Sequence, residues 1–338
     1  MAVDDKDAIL YPASKPFNEG DLDVGDGHKL HYQQFGNPDG IPVVYLHGGP
    51  GAGSAPYFHR FFDPAVFNIV IYDQRGAPAS NPPGDINANS PAHLVEDNEK
   101  LRQHLGIDKW HLFGGSWGST LALMYAEKYP ENTLSMTLRG VFMMRDKELD
   151  WYINRIGTFF PEVYKEFVEF LPPNERGDVL ENYYQRLTNP DPAIHLPAAF
   201  AWTRFENGSA FLEVPPDEIR NDTPQRALPF ARIEAHFMRN HMPDDSIMQN
   251  IVVIKDIPTA IVQGRHDIVC PPMSAFDLSE KMTNASIEFV QSGHSGASPE
   301  TMKSLVAATN RIRDTGSPVL PKKAPASPSP AGNPPRPS

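Results

Sequence analysis

The stretch Trp110-His111-Leu112-Phe113-Gly114-Gly115-Ser116-Trp117-Gly118-Ser119 decides how this chain of 338 residues folds. An apolar run enters it, and the largely apolar Thr120-Leu121-Ala122-Leu123-Met124-Tyr125-Ala126 leaves it. That order reads as a strand, a sharp turn and a helix. Glycines on either side of Ser116 let the strand and the helix pass closely across the turn. The hydroxyl then stands at a helix N-terminus, where the helix dipole favours negative charge. In this setting Gly-x-Ser-x-Gly presents a serine nucleophile. The pentapeptide by itself would also suit a glycine-rich turn around an ordinary serine.

Working outward, short apolar runs recur. Residues 28–34 and 42–46 read as early strands, and 68–73, 111–113 and 135–140 follow. The wholly apolar Val43-Val44-Tyr45-Leu46 marks a strand buried on both faces. A helical pattern such as Leu94–Leu105 separates such runs. Strand and helix in alternation imply an α/β fold with a mostly parallel central sheet flanked by helices. From about Asp146 to Met248 the chain becomes aromatic and proline-punctuated. There Pro172, Pro173, Pro190, Pro192, Pro197, Pro215 and Pro216 are expected to stop successive short helices. Sheet-like runs resume at 259–264 and 286–290, and Met302–Arg313 reads as a closing helix. The expected organisation is a core over 1–145 and 249–315, an inserted helical cap over 146–248, and a disordered Pro/Ala/Ser-rich tail over 316–338.

Composition narrows the function classes. The formal net charge is -12, spread along the chain, and the isoelectric point is about 5.4. Neither nucleic acid nor an anionic membrane is expected as a partner. Cys270 is the single cysteine, so no disulfide closes within the chain. The N-terminal residues are acidic and carry no apolar signal core, which points to a cytoplasmic protein. No apolar run approaches the roughly 18 residues that a membrane span needs.

A serine hydroxyl is a poor nucleophile at neutral pH. It needs a base, an orienting acid and donors for an oxyanion. On the α/β-hydrolase fold these partners follow the nucleophile in the order Ser, Asp or Glu, His. Asp267, in Gly264-Arg265-His266-Asp267, stands just beyond one late strand. His294, in Ser292-Gly293-His294-Ser295-Gly296, stands just beyond the next. Either residue alone would pass as an ordinary loop side chain; in this order both fit a Ser116–His294–Asp267 triad. His47-Gly48-Gly49-Pro50-Gly51 follows Val43–Leu46, where the fold places its second oxyanion donor. The Gly49 and Trp117 N–H groups are the candidates, Gly49 being favoured over Gly48. This chemistry calls for no metal and no cofactor.

Together, His47–Gly51, Asp73-Gln74-Arg75-Gly76, Gly114–Leu121, Leu138-Arg139-Gly140-Val141-Phe142, Gly264–Pro271 and Ser292–Ser295 resemble the proline iminopeptidases. These are serine peptidases of the α/β-hydrolase fold, and the likeness runs to about residue 313. It implies an exopeptidase that removes an N-terminal proline from a small peptide or aminoacyl substrate. It further implies that Glu206 and Glu234, in the cap, hold the substrate's free amine, and that Phe142 and Tyr152 help line a pyrrolidine pocket. From the residues alone, the two glutamates would pass as helix-surface groups and the two aromatics as core. A buried carboxylate pair suits an exopeptidase, because it rejects internal peptide bonds by requiring a cation. The chain departs from the family at Ala77-Pro78-Ala79-Ser80, where a small residue, Gly, a basic residue and Ser are usual. It departs again at Asn89–Leu94, and at Phe205, where tryptophan is common. These departures keep open an esterase or amidase of specialised metabolism on the same scaffold. A non-catalytic hydrolase-fold binding protein would instead have a degraded triad.

Overall fold

The computed structural model describes residues 4–212, 223–241 and 244–321. Its strands are β1 Asn18–Gly25, β2 His28–Gly36, β3 Ile41–Leu46, β4 Phe67–Tyr72, β5 Trp110–Gly115, β6 Thr133–Arg139, β7 Thr259–Gly264 and β8 Ala285–Val290. They form one sheet in the order β1-β2-β4-β3-β5-β6-β7-β8. The β1–β2 and β2–β4 pairings are antiparallel. Every neighbouring pair from β4 to β8 is parallel. In chain order the helices are α1 Asp4–Ile9, α2 Pro91–His104, α3 Trp117–Lys128, α4 Asp146–Asp150, α5 Pro161–Glu169, α6 Val179–Leu187, α7 Pro192–Ala210, α8 Pro224–Arg239, α9 Ser246–Asn250, α10 Pro272–Lys281 and α11 Pro299–Thr315. Among the described residues, no helix is long and apolar enough to cross a membrane.

The period-two alternation of strand side chains builds two cores. Val44, Leu46, Val70 and Leu112 point to the face covered by Leu94 and Leu101 of α2 and Leu121 of α3. Val43, Tyr45, Ile69, Ile71 and Phe113 point to the opposite face, against Met302, Leu305 and Ile312 of α11. Each such fully buried side chain contributes about 1.5–3 kcal/mol. Because both faces are covered, all six β4 positions are buried, and apart from Asn68 it reads as an apolar run rather than an alternating one.

Strand β1 was not expected from the sequence. Its residues, Asn-Glu-Gly-Asp-Leu-Asp-Val-Gly, are mostly exposed and poor strand formers. It forms because the Gly25-Asp26-Gly27 turn, at φ 88°, 56° and 84°, folds it back along β2. Pro197 also departs from expectation: α7 runs through it to Ala210. Packing along the rest of α7, with Ala198, Ala199, Trp202 and Phe205 buried, outweighs the lost Pro197 hydrogen bond. Helices α4 to α9 all lie between β6 and β7. Pro215 and Pro216 lie outside the described residues. At the C-terminus, the composition change at Thr315 does not coincide with loss of contact. Pro318 O accepts from Arg311 Nε at 2.8 Å, and the Leu320 N–H donates to Ser286 Oγ at 3.0 Å. Residues 322–338 of the expected tail lie outside the described region.

Candidate active site

The turn after β5 holds Ser116 at φ 58°, ψ -128°, a conformation that L-residues seldom adopt. The Ser116 N–H donates to Arg139 O at 2.9 Å, and Ser119 Oγ donates to Ser116 O at 2.6 Å. The flanking glycines have a steric reason. A Cβ on Gly114 would lie 2.2 Å from Gly118 O, and one on Gly118 would lie 2.0 Å from Leu46 O.

Asp267 and His294, on the loops after β7 and β8, meet Ser116 at the carboxyl ends of the parallel strands. His294 Nε2 is 3.1 Å from Ser116 Oγ. His294 Nδ1 is 2.9 and 3.1 Å from the two Asp267 oxygens. Asp267 is buried, and its oxygens also accept the Cys270 N–H at 2.8 Å and Gln263 Nε2 at 3.1 Å. Gln263 in turn accepts the Val141 N–H at 3.1 Å. This support was not singled out from sequence, though a polar side chain inside the buried run Thr259–Gly264 was a readable signal. A second unforeseen neighbour is Arg139, whose Nη1 donates to His294 O at 2.8 Å. A Cβ on Gly115 would meet its guanidinium at 2.5 Å.

The His47–Gly51 turn is locked from below. Gln74 donates its N–H to His47 Nε2 at 3.0 Å and its amide Nε2 to His47 O at 2.9 Å. His47 Nδ1 therefore carries the ring proton and donates to Gly48 O at 2.9 Å. Burial lowers the His47 pKa, which keeps the ring neutral. Trp117 Nε1 donates to Gln74 Oε1 at 2.9 Å, joining this turn to α3. Gly48 packs against the nucleophile, its Cβ position 3.3 Å from Ser116 Cβ. Among the described residues, neither the Gly49 N–H nor the Trp117 N–H has a backbone acceptor.

The departing loop Ala77–Ser80 is firmly tied. Asp73 accepts the N–H groups of Ser54 at 2.7 Å and Ala79 at 2.8 Å. Ser80 Oγ donates to Asp73 O at 2.5 Å and accepts the His31 N–H at 3.1 Å. The buried Arg75 anchors the same loop through Asp97, at 2.5 and 2.9 Å, and through Ala88 O at 2.8 Å. These hydrogen bonds hold the loop in place where it departs from the family pattern.

Glu206 lies one helical turn after Trp202 on α7, and the Trp202 indole reaches Glu234 of α8, so both carboxylates stand on the same side of α7. Helix α8 is pressed onto the loops after β3 and β4 through Ile233; a Cβ on Gly51 or Gly76 would strike it at 2.8 or 2.4 Å. Glu234, the next residue, is 2% exposed and accepts Trp202 Nε1 at 2.6 Å. Glu206 accepts the Tyr152 hydroxyl. Burial, followed by the Glu206 charge, pushes the Glu234 carboxyl well above the usual range. Burial also raises Glu206, opposed by the Tyr152 hydrogen bond and the more distant His294. The Tyr152 ring meets Phe205 at 5.1 Å, placing it in this cluster. Phe142 is buried beyond the elbow, its backbone held by Ser119 and Thr120. Cys270 is a buried thiol whose pKa is pushed up, so it stays protonated. Among the described residues, no group of three His, Cys, Asp or Glu side chains could hold a metal ion.

Known proteins resemble this chain in fold and in sequence. Residues 41–298 match the model of the alpha/beta hydrolase fold. The chain is 43% identical over 311 residues to a proline iminopeptidase of Arabidopsis thaliana, covering 90% of this chain and 82% of that one. It is 43% identical over 307 residues to one of Xylella fastidiosa, covering 89% and 98%. Among solved structures, a proline iminopeptidase of Mycobacterium smegmatis superposes with a TM-score of 0.57 at 18% identity, covering 88% of this chain and 98% of that one. A bacterial membrane phospholipase A superposes at 0.60 and 18% identity, covering 88% and 86%, so likeness at this level reports the fold alone.

Proposed function

We propose that this chain, which belongs to the proline iminopeptidases within the α/β-hydrolase fold, releases an N-terminal proline or similar small residue from peptides. The observation that supports this reading is a carboxylate pair, Glu234 buried and Glu206 half-buried, within electrostatic reach of His294 and Asp267. Relatives named for the same activity support it.

The substrate's ammonium sits against Glu206 and Glu234, which brings its first carbonyl over Ser116. His294 Nε2 takes the Ser116 proton as Oγ attacks the carbonyl carbon. The Gly49 and Trp117 N–H groups receive the developing oxyanion, each such donor being worth about 2.7–4 kcal/mol. Asp267 holds the Nδ1–H tautomer and stabilises the imidazolium. His294 passes its proton to the leaving amine, and the acyl-enzyme is then hydrolysed by water that His294 activates. Phe142 and Tyr152 wall the ring of the N-terminal residue.

The test is chromophore release from prolyl p-nitroanilide. Turnover by the native chain, with Ser116→Ala and His294→Ala each reduced by at least about 10³-fold, is expected. A folded native chain inert on every aminoacyl anilide would overturn the reading.

A further inference from the structure

Among the described residues, the amine site contains two carboxylates and no cation paired with them. The direct donor to Glu234 is the Trp202 indole, and the donor to Glu206 is the Tyr152 phenol. Both donors are neutral; burial and the two carboxylate charges hold the phenol in its protonated form. Among the described residues, no lysine, arginine or histidine forms an ion pair with either glutamate. The surrounding wall is aromatic. Phe205 stacks on Phe167 at 4.2 Å, and the Trp202 ring packs edge-on against Phe167 and Tyr183 at 5.5 and 5.4 Å. With Glu234 buried and Glu206 half-buried, water screens their repulsion only in part, which favours one charge over two.

We propose that the empty Glu206–Glu234 pair holds one proton, with Trp202 and Tyr152 as its fixed donors, and that seating a substrate's N-terminal ammonium expels that proton to solvent. This rests on the assignment of the pair as the amine site. The exchange balances: one carboxylic acid, one carboxylate and one ammonium become two carboxylates, one ammonium and one free H⁺, with no electron transferred. The other charged groups acting on the pair are His294 and Arg139, which favour the ionised form of Glu206, and Asp267, which opposes it. Cys270 faces Tyr152 as a neutral thiol. Trp202 is a positioning residue in this scheme. Without its N–H, Glu234 ionises less readily and holds the proton against the incoming ammonium.

Isothermal titration of prolinamide into Ser116→Ala protein, at about pH 6.5 in two buffers of different ionisation enthalpy, reads the proton directly. Release of about one proton per prolinamide is expected. Adding Glu234→Gln leaves one ionisable carboxyl and reduces the release to near zero, which separates the pair from His294. Trp202→Phe weakens binding about tenfold at that pH, and the loss shrinks as pH rises. Binding without proton release, or release that survives Glu234→Gln, would overturn the shared proton while leaving the amine site standing. Failure of prolinamide to bind at all would remove the amine site itself, and the shared proton with it.

Discussion

Gly140 follows β6 at φ 54° and lies against the His294 and Asp267 side chains. A Cβ there would sit 3.0 Å from His294 Cε1, 3.2 Å from His294 Nδ1 and 3.2 Å from Asp267 Oδ2. Carbon atoms prefer separations of about 3.5–4.0 Å, so Gly140→Ala must displace the imidazole by roughly 0.5 Å. A 1 Å misplacement of a reacting group costs on the order of 100-fold, so half of that costs roughly tenfold. The left-handed backbone adds about 1–2 kcal/mol of instability, because alanine tolerates it less well than glycine. Gly316 supplies the control. Its φ is 77°, and a Cβ there meets nothing within 4 Å. Gly140→Ala and Gly316→Ala should lose similar stability in urea titrations. Only Gly140→Ala should lose kcat on prolyl p-nitroanilide, by about 10–100-fold. If both variants are destabilised alike and Gly140→Ala keeps kcat to within about twofold, His294 does not work from the position described here.

Gln263→Leu keeps the volume but removes one of Asp267's fixed donors and the acceptor for the Val141 N–H. It should cost about 1–3 kcal/mol in a denaturant melt and lower kcat more than it raises KM. Arg75→Met strands the buried Asp97 carboxylate and should cost about 3–5 kcal/mol, much of it recovered when Asp97→Leu is added. Glu234→Gln should do the reverse at neutral pH. The folded state raises this carboxyl above its unfolded value of about 4.3, so ionising it opposes folding at every pH above that value. The variant's Tm should therefore exceed the native Tm at pH 7, with the difference vanishing near pH 4, while activity on free-amine substrates falls.

What the sequence revealed depended on how local the signal was. Strands β3 and β4 are short apolar runs covered on both faces, so composition alone marked them. The proximity of Ser116, Asp267 and His294 was readable because each follows a strand of one parallel sheet, which brings the following loops to the same edge. Strand β1 was hidden because its residues are polar and its pairing with β2 comes from the Gly25–Gly27 turn. Pro197 misled because a helix boundary was inferred from one residue, whereas α7 is held by its buried face. The bonds of Gln263 to Val141, Arg139 to His294 and Trp202 to Glu234 join segments far apart in the chain, and residue spacing carries no trace of these pairings.

In the proposed function, the Glu206–Glu234 pair makes the serine chemistry conditional on a free N-terminal amine. The most direct measurement is the ratio of kcat/KM for prolyl p-nitroanilide to that for its N-acetyl derivative. Acetylation removes the cation that the pair binds, a loss of about 3 kcal/mol or more, so the ratio should be at least about 100. A ratio near one, with both substrates cleaved at Ser116, would contradict the account.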